Sequence, residues 1–477
     1  MRVRPVIEDP VGSTRIEHTS PRPALIGSGR VVEAERTIPI VQETDVLVIG
    51  GGSAGTAAAV CAAREGARVT LLERYSRLGG MATGGLVLLF DDMCDGNDKT
   101  VAGIVDEVID RLVPIGGAVV SPKEVQFTPL VPSPESRKWI SWGFEYPFWR
   151  GRPKVIAYDA VCDPEALVFV LQEMVAAEGV DLWLNTQFAD VIMDDEDRVR
   201  GAIIESKEGR LAIEAKIVVD ASGDGDVFYR AGAAFEPCRY SMSLVHRMGN
   251  VDVDGHMAWA EDHKDEAEQL NREMRRIYGG SERYWWFRTP VEGVVWCNCP
   301  TFRDLDGIST WTQTQVVLES RRIIQEAMAF ARANIPGFQR AFLLETSNQV
   351  GVRQTRLLRG EYVLTKEDVT GRRSFPDRIG RGRDYFYPYR TLLPIGVENL
   401  IVTGRCFSAT PNAHKTTRDI PGMFVIGQAA GTAAALALSS STPLRNIDVS
   451  ALQTRLVAQG VDLGPGPDEV YNPPTGA

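Results

Sequence analysis

The sequence predicts an α/β fold, in which a doubly wound dinucleotide-binding domain is interleaved with an α+β second domain, and three observations carry the prediction. A whole strand, glycine turn, helix and second strand run in order from Asp45 to Glu73. A short apolar strand, a glycine and a small-residue helix of the same character return between Leu400 and Leu438. From about Phe235 to Leu393 the pattern changes to charged helices and aromatic strands, which marks a second unit inserted into the first.

In the first unit, Val46 to Ile49 is the apolar run of a strand buried on both faces. Gly50, Gly52 and Gly55 fit G-x-G-x-x-G, a spacing that serves a tight turn, the approach of a pyrophosphate to the backbone, and close helix–strand packing. The helix that follows brings Ser53 and Ala54 at its N-terminus toward the phosphates. Alanine-rich Ala57 to Arg64 favours a helix, Gly66 stops it, and Val69 to Leu72 returns to the sheet and delivers Glu73, whose carboxylate can accept both ribose hydroxyls. Glu73 would repel a 2′-phosphate, although Arg74 stands beside it.

The 477 residues exceed what one core organises, so two intertwined domains are expected. Residues 1–42 read as an arm, 43–113, 153–234 and 395–445 as a discontinuous nucleotide domain, 114–152 and 235–394 as a substrate or cap domain, and 446–477 as a tail. The net charge of -11, from 52 basic and 63 acidic residues, gives no electrostatic reason to expect nucleic acid or an anionic membrane. No apolar run is read as long enough to span a bilayer, and residues 1–11 lack a signal core, so a cytoplasmic location is expected. The seven cysteines are scattered and odd in number, against a disulfide framework. Cys297 and Cys299 fall on one face of a strand with no further ligand set, so no metal is expected.

Further along, Val101 to Val113 reads as a helix. The proline-broken stretch to residue 153 carries Trp139, Trp142, Phe144, Tyr146, Phe148 and Trp149, more often core than site. Asp163 caps a helix reaching Glu178, and Phe188 to Met193, Val199 to Glu205 and Leu211 to Val219 form a β-meander. The meander ends in Asp220-Ala221-Ser222-Gly223-Asp224-Gly225-Asp226, which begins like a calcium loop but has Ala231 where a bidentate Glu belongs. It is better placed to meet a dinucleotide at the sheet's carboxyl edge. One charged helix is expected around His256 to Tyr278 and a long one within Trp311 to Asn334. Pro421 opens the last helix, and Gly427 and Gly431, one turn apart, leave it a smooth face for close packing.

DVLVIGGGSAGTAAA with LLERYSRLGGMATGGLV, then IVVDASGDGDVFYRAG, VGVRQTRLLRGEYVLT, and NLIVTGRCFSAT with IGQAAGTAAALA, resemble the FAD-dependent oxidoreductase family that includes xanthan-lyase-like proteins. The resemblance covers about Val41 to Leu438 and implies a Rossmann-like fold similar to glutathione reductase and p-hydroxybenzoate hydroxylase, with FAD as the dinucleotide. It assigns Gly50, Gly52, Gly55 and Glu73 to the ADP half, and Gly79, Gly80, Met81 and Thr83 to the ribityl chain or flavin. Asp220 and Gly223 fall near the adenine side, and Gly404, Arg405 and the helix start at Pro421, Gly422 and Met423 near the isoalloxazine. Two departures stand out: a short stretch between Arg383 and Tyr387, and Pro411-Asn412-Ala413-His414-Lys415 in place of His-Glu-Ala-Leu-Gly.

A helix N-terminus near residue 421 would favour the charge of a reduced flavin. Of five histidines, His414 lies in the segment expected to face it and can exchange a proton, while Arg418 supplies fixed charge for an oxyanion. Tyr387, Tyr389 and Arg390 complete the expected catalytic set. The expected activity is a dehydrogenase passing hydride between a small-molecule substrate and FAD, with an electron acceptor of unidentified chemistry. The alternatives are an oxygen-using oxidase or monooxygenase, and a noncatalytic flavin-binding subunit. A homo-oligomer is allowed, and no nucleic-acid or membrane partner is expected.

Overall fold

A computed structural model describes residues 25–27, 30–32, 35–147, 154–280 and 284–467. The organising sheet has seven strands, in the order Asp181–Trp183, Val69–Leu72, Ile40–Ile49, Gly209–Asp220, Val199–Ser206 and Gln187–Met193, with Leu400–Val402 added beside Gly209–Asp220. The third strand of the predicted meander is thus long enough to leave its hairpin and enter the parallel sheet. Its register decides the site. Ile49 lies opposite Leu72 and Asp220, and Asp220 opposite Val402. Four parallel strands therefore end level, and the loops at Gly50, Glu73, Ala221 and Thr403 emerge at one edge, where α/β sheets bind ligands.

Alternation splits the first strand between two cores. Val46 and Val48 join the larger core with the helices Ser53–Arg64 and Ile420–Ser440, whereas Leu47 and Ile49 join a second on the opposite face. The two helices touch backbone to backbone. A Cβ on Gly427 would lie 2.2 Å from the Ala54 carbonyl oxygen, and one on Gly431 would lie 2.1 Å from that of Ala58. The glycine pair one turn apart is what lets them meet.

The inserted unit is α+β. A four-stranded sheet runs Phe287–Arg288, Val295–Cys297, His246–Gly249 and Phe342–Thr346, backed by Lys264–Ile277 and Thr310–Asn334. A three-stranded sheet joins Thr301–Leu305, Tyr240–Ser243 and Gly351–Val352. The single helix expected around 256–278 is two, Val253–Asp262 and Lys264–Ile277, because His263 leaves helical geometry and its ring Nδ1 pairs with the Trp259 carbonyl at 2.9 Å. Cys297 and Cys299 are both buried, and no cluster of metal-ligating side chains occurs among the described residues. Trp139, Phe144 and Tyr146 are core, while Phe148 and Trp149 lie outside the described residues.

Several boundaries shift. The first strand starts at Ile40, inside the expected arm, whose residues 1–24 lie outside the described ones. The expected tail contains the helix Val449–Ala458, capped by the Asp448 side chain, with Leu452 and Leu456 in the main core. The end of the expected cap belongs to the nucleotide side: Leu364, Phe375, Ile379, Tyr385, Tyr387 and Tyr389 pack in the same core as Val425. Ile420–Ser440 is the one helix among the described residues long and apolar enough to cross a bilayer, a span the sequence reading overlooked. Its residues from Pro421 to Ala437 are buried inside the protein.

Gly427→Ala tests the helix contact. Alanine normally gains about 1 kcal/mol over glycine within a helix, but here the added methyl meets the backbone, so we expect a net loss of about 1–3 kcal/mol in urea unfolding. An unchanged or raised midpoint would contradict the contact.

Candidate active site

A cavity of about 380 Å³ lies along the level strand ends. At one end the helix Ser53–Arg64 starts at Gly52 with no side-chain cap, and Ser53 and Ala54 line the cavity. Its first N–H groups are therefore left for a ligand. Gly50 has φ +105°, and a Cβ there would lie 2.4 Å from the Ala221 carbonyl oxygen, whereas above Gly52 a Cβ would meet nothing nearer than 3.9 Å. The first glycine thus serves the turn, and the second leaves room over the backbone. Gly55 is off the cavity, against the Gly50 carbonyl.

Glu73 is buried on the wall and accepts the Gly51 N–H at 2.8 Å and the Tyr75 N–H at 2.9 Å, one on each carboxylate oxygen. Each oxygen keeps a lone pair for a hydroxyl. Burial raises its pKa while the two N–H groups hold it down. Arg74 lines the same end, with its guanidinium 5.1 Å from the Tyr75 ring centre.

The other end repeats the device. The helix Ile420–Ser440 starts at Asp419 without a side-chain cap, and Arg418, Asp419, Ile420 and Met423 line the cavity. Gly80, Met81, Gly223, Gly404 and Arg405 line it too, the last paired with Asp224 at 2.8 Å. Five further expected cofactor contacts lie behind the wall, as Gly55 does. Gly79 donates its N–H to the Gly51 carbonyl, and the Thr83 hydroxyl is used by the Leu78 carbonyl at 2.5 Å. Asp220 spends its carboxylate on Ser222 and on the N–H groups of Val227 and Phe228, and burial pushes its pKa up to about 6. Pro421 and Gly422 point into the core, where Gly422 makes room for the Tyr387 hydroxyl.

Of the five residues expected to be catalytic, only Arg418 lines the cavity. His414 is fully buried, with Nδ1 taken by the Gln354 amide at 3.1 Å and Nε2 by the Arg405 carbonyl at 2.5 Å. Burial, helped by the nearby Arg418, lowers its pKa to about 3, so the ring stays neutral near neutral pH with both nitrogens committed. Tyr387 and Tyr389 are buried, donating to the carbonyls of Thr417 and Leu444, and Arg390 is held outward by Asp377. All three belong to the core segment that the sequence reading gave to the cap.

Asp419 and Asp91 lie with Arg418 on the cavity wall, and their charge acts on its guanidinium. Asp419 was legible as a cap residue directly before Ile420-Pro421. Nothing local singles out Asp91. From the inserted unit come Tyr284, Phe287, Trp296, Asn298, Gln349 and Arg353. Asn298 is signalled by alternation, since burying both flanking cysteines turns it the other way.

Two uncapped helix starts and a ribose-ready carboxylate on one cavity define a class, a protein that binds a dinucleotide with a second anionic centre. A model of the FAD-dependent oxidoreductase family matches residues 45–385 and 382–456, and the chain belongs to that family. The match does not reach the xanthan-lyase-like branch. The chain is 27% identical over 214 residues to a digeranylgeranylglycerophospholipid reductase of Thermoplasma volcanium, covering 44% of this chain and 48% of the relative. It is 26% identical over 214 residues to an aklavinone 12-hydroxylase of Streptomyces peucetius subsp. caesius, covering 41% of each. It thus spans less than half the length of these curated relatives. The solved p-nitrophenol 4-monooxygenase PnpA of Pseudomonas putida DLL-E4 is similar with TM-score 0.47 and 14% identity, covering 87% of this chain and 84% of that one. FAD is the cofactor of the family. The uncapped N–H groups at Ser53 and Ala54 fit its pyrophosphate, Glu73 its ribose, and the second helix start its isoalloxazine.

Glu73→Ala removes a charged acceptor, worth about 1.5–3 kcal/mol, and we expect FAD affinity to fall roughly ten- to hundredfold in a dialysis titration. Unchanged retention would place the ribose elsewhere.

The buried histidines set an acid limit. Burial lowers His246 to about 4 and His414 to about 3, below the unfolded value of about 6.5. The unfolded chain therefore binds more protons in between, so stability is lost as pH falls from about 6.5 toward those values, by roughly 2 kcal/mol per histidine at about pH 5. His414→Gln should flatten the fall of the urea midpoint across that window. A slope equal to the parent's would mean that the ring titrates freely.

Proposed function

We propose that this protein oxidises a small organic substrate by hydride transfer to FAD, in the part of the cavity enclosed by the inserted unit. The observation that carries the reading is the second helix start: its free N–H groups, beside Arg418, supply positive potential where a reduced flavin and a substrate oxyanion need it. Two-electron acceptance from a substrate C–H bond is the chemistry that bound FAD supplies. The chain contributes the rest. Tyr284, Phe287 and Trp296 form an apolar wall that positions the substrate and excludes water. Arg418 has no hydrogen bond or ion pair among the described residues, and its Nε is buried without a partner, so its guanidinium is available to an anionic substrate group. An oxygen-using reaction is the second reading, supported by the hydroxylase among the relatives.

Anaerobic mixing with a panel of alcohols and hydroxy acids should bleach the flavin with one of them, and a dye or quinone should reoxidise it faster than air. Arg418→Ala should slow bleaching about ten- to hundredfold on the plateau of the pH profile, since it removes a fixed charge. Rapid reoxidation by oxygen with stoichiometric peroxide establishes an oxidase instead, and oxygen incorporation into product a monooxygenase. If nothing in the panel reduces the flavin, a noncatalytic flavin-binding role replaces the reading.

A further inference from the structure

Removal of a hydride from an alcohol also requires a base for its O–H proton, and His414 is not available for it. Asp91 is. It follows the strand Leu89–Phe90, lies half-buried on the cavity wall with Arg418 and Asp419, and stands beside two further acids, Asp92 and the buried Asp159. The charged groups facing it are Asp92, Asp159, Asp419, Arg383 and Arg418. Arg383 is committed to Asp92 at 2.5 Å and to Asp384 at 3.0 Å, and Arg418 makes no ion pair with the remaining carboxyls among the described residues. Burial, with Asp419 and Asp91 beside it, pushes Asp92 well up against the pull of Arg383. The cluster therefore holds fewer cations than carboxyls and retains protons near neutrality.

A separate observation marks the cavity wall as ligand-facing. Gln349 and Trp296, 6% and 2% exposed, line the same cavity, and each keeps a side-chain N–H without a partner among the described residues. The inserted unit thus offers unpaired donors, suited to a substrate oxygen, on the cavity that Asp91 also lines.

We propose that Asp91 is the general base of the reaction, a catalytic residue that takes the hydroxyl proton of an alcohol substrate, with Asp92 and Asp419 as positioning residues that tune it. The balance is complete. The substrate C–H bond breaks and its electron pair leaves with the hydrogen to the bound flavin, the O–H bond breaks and its proton goes to the Asp91 carboxylate, and the C–O bond becomes a carbonyl. Burial, reinforced by Asp419 against the pull of Arg418 and Arg383, raises Asp91 to about 7, the range in which a base works best near neutral pH.

This inference rests on the proposed reaction, but its test begins without substrate. The absorbance of the oxidised holoenzyme, titrated from about pH 5 to about pH 9, should shift with one midpoint near the Asp91 value as charge appears beside the flavin. Asp91→Asn should abolish the shift while FAD stays bound, and Asp91→Glu should restore a shift with a moved midpoint. With a reducing substrate, the bleaching rate should rise with pH through the same midpoint and fall about a hundredfold or more in Asp91→Asn. A titration that survives in Asp91→Asn, or an Asp91→Asn variant reduced at the parent rate, overturns the assignment. Failure of every substrate with the titration intact overturns the hydride reading and leaves Asp91 established as the titrating group.

Discussion

The structure depends on the backbone contact between the helices Ser53–Arg64 and Ile420–Ser440. They come from opposite ends of the chain, and the glycines at 427 and 431 allow an approach that any side chain would block. Because both helices start at the same edge of the sheet, the contact also brings their uncapped N-termini to one cavity. A separation of a few ångströms between them would leave each start to solvent. Held together, they form two fixed positive potentials on a common wall.

Those potentials explain the uneven distribution of charge around the cavity. The nucleotide end carries Glu73, whose buried carboxylate is stabilised by two backbone N–H groups, and Asp220, whose carboxylate is likewise spent on backbone N–H groups. At the other end Asp91, Asp92, Asp159 and Asp419 crowd around Arg383 and Arg418. Burying so many carboxyls costs stability unless protons are retained, and perturbed acids of this kind concentrate at sites that move protons. On the proposed reaction, the contrast between the ends separates a part that holds from a part that reacts.

Local chemistry made the nucleotide half of the site legible. Gly50, Gly52, Ser53, Ala54 and Glu73 are neighbours in a single strand–turn–helix–strand unit, so spacing alone places them together. The same is true of Arg418 and Met423, which flank one helix start. His414, Tyr387, Tyr389 and Arg390 failed for a shared reason: motif order shows that a segment is near the flavin without showing which way its side chains turn. Each is claimed by a carbonyl or carboxylate from elsewhere in the fold.

The sequence by itself determined the class of fold, the dinucleotide unit and the family, because these rest on hydrophobic period and glycine spacing, which act over a few tens of residues. Tertiary structure alone decided the reactive end. Asp91, Asp419, Trp296 and Gln349 are far apart in the chain, and only the level strand ends and the helix contact bring them to one wall. Their chemistry is set by that meeting, since burial and neighbouring charge, not residue type, decide whether a carboxyl near neutral pH is a spectator or a base.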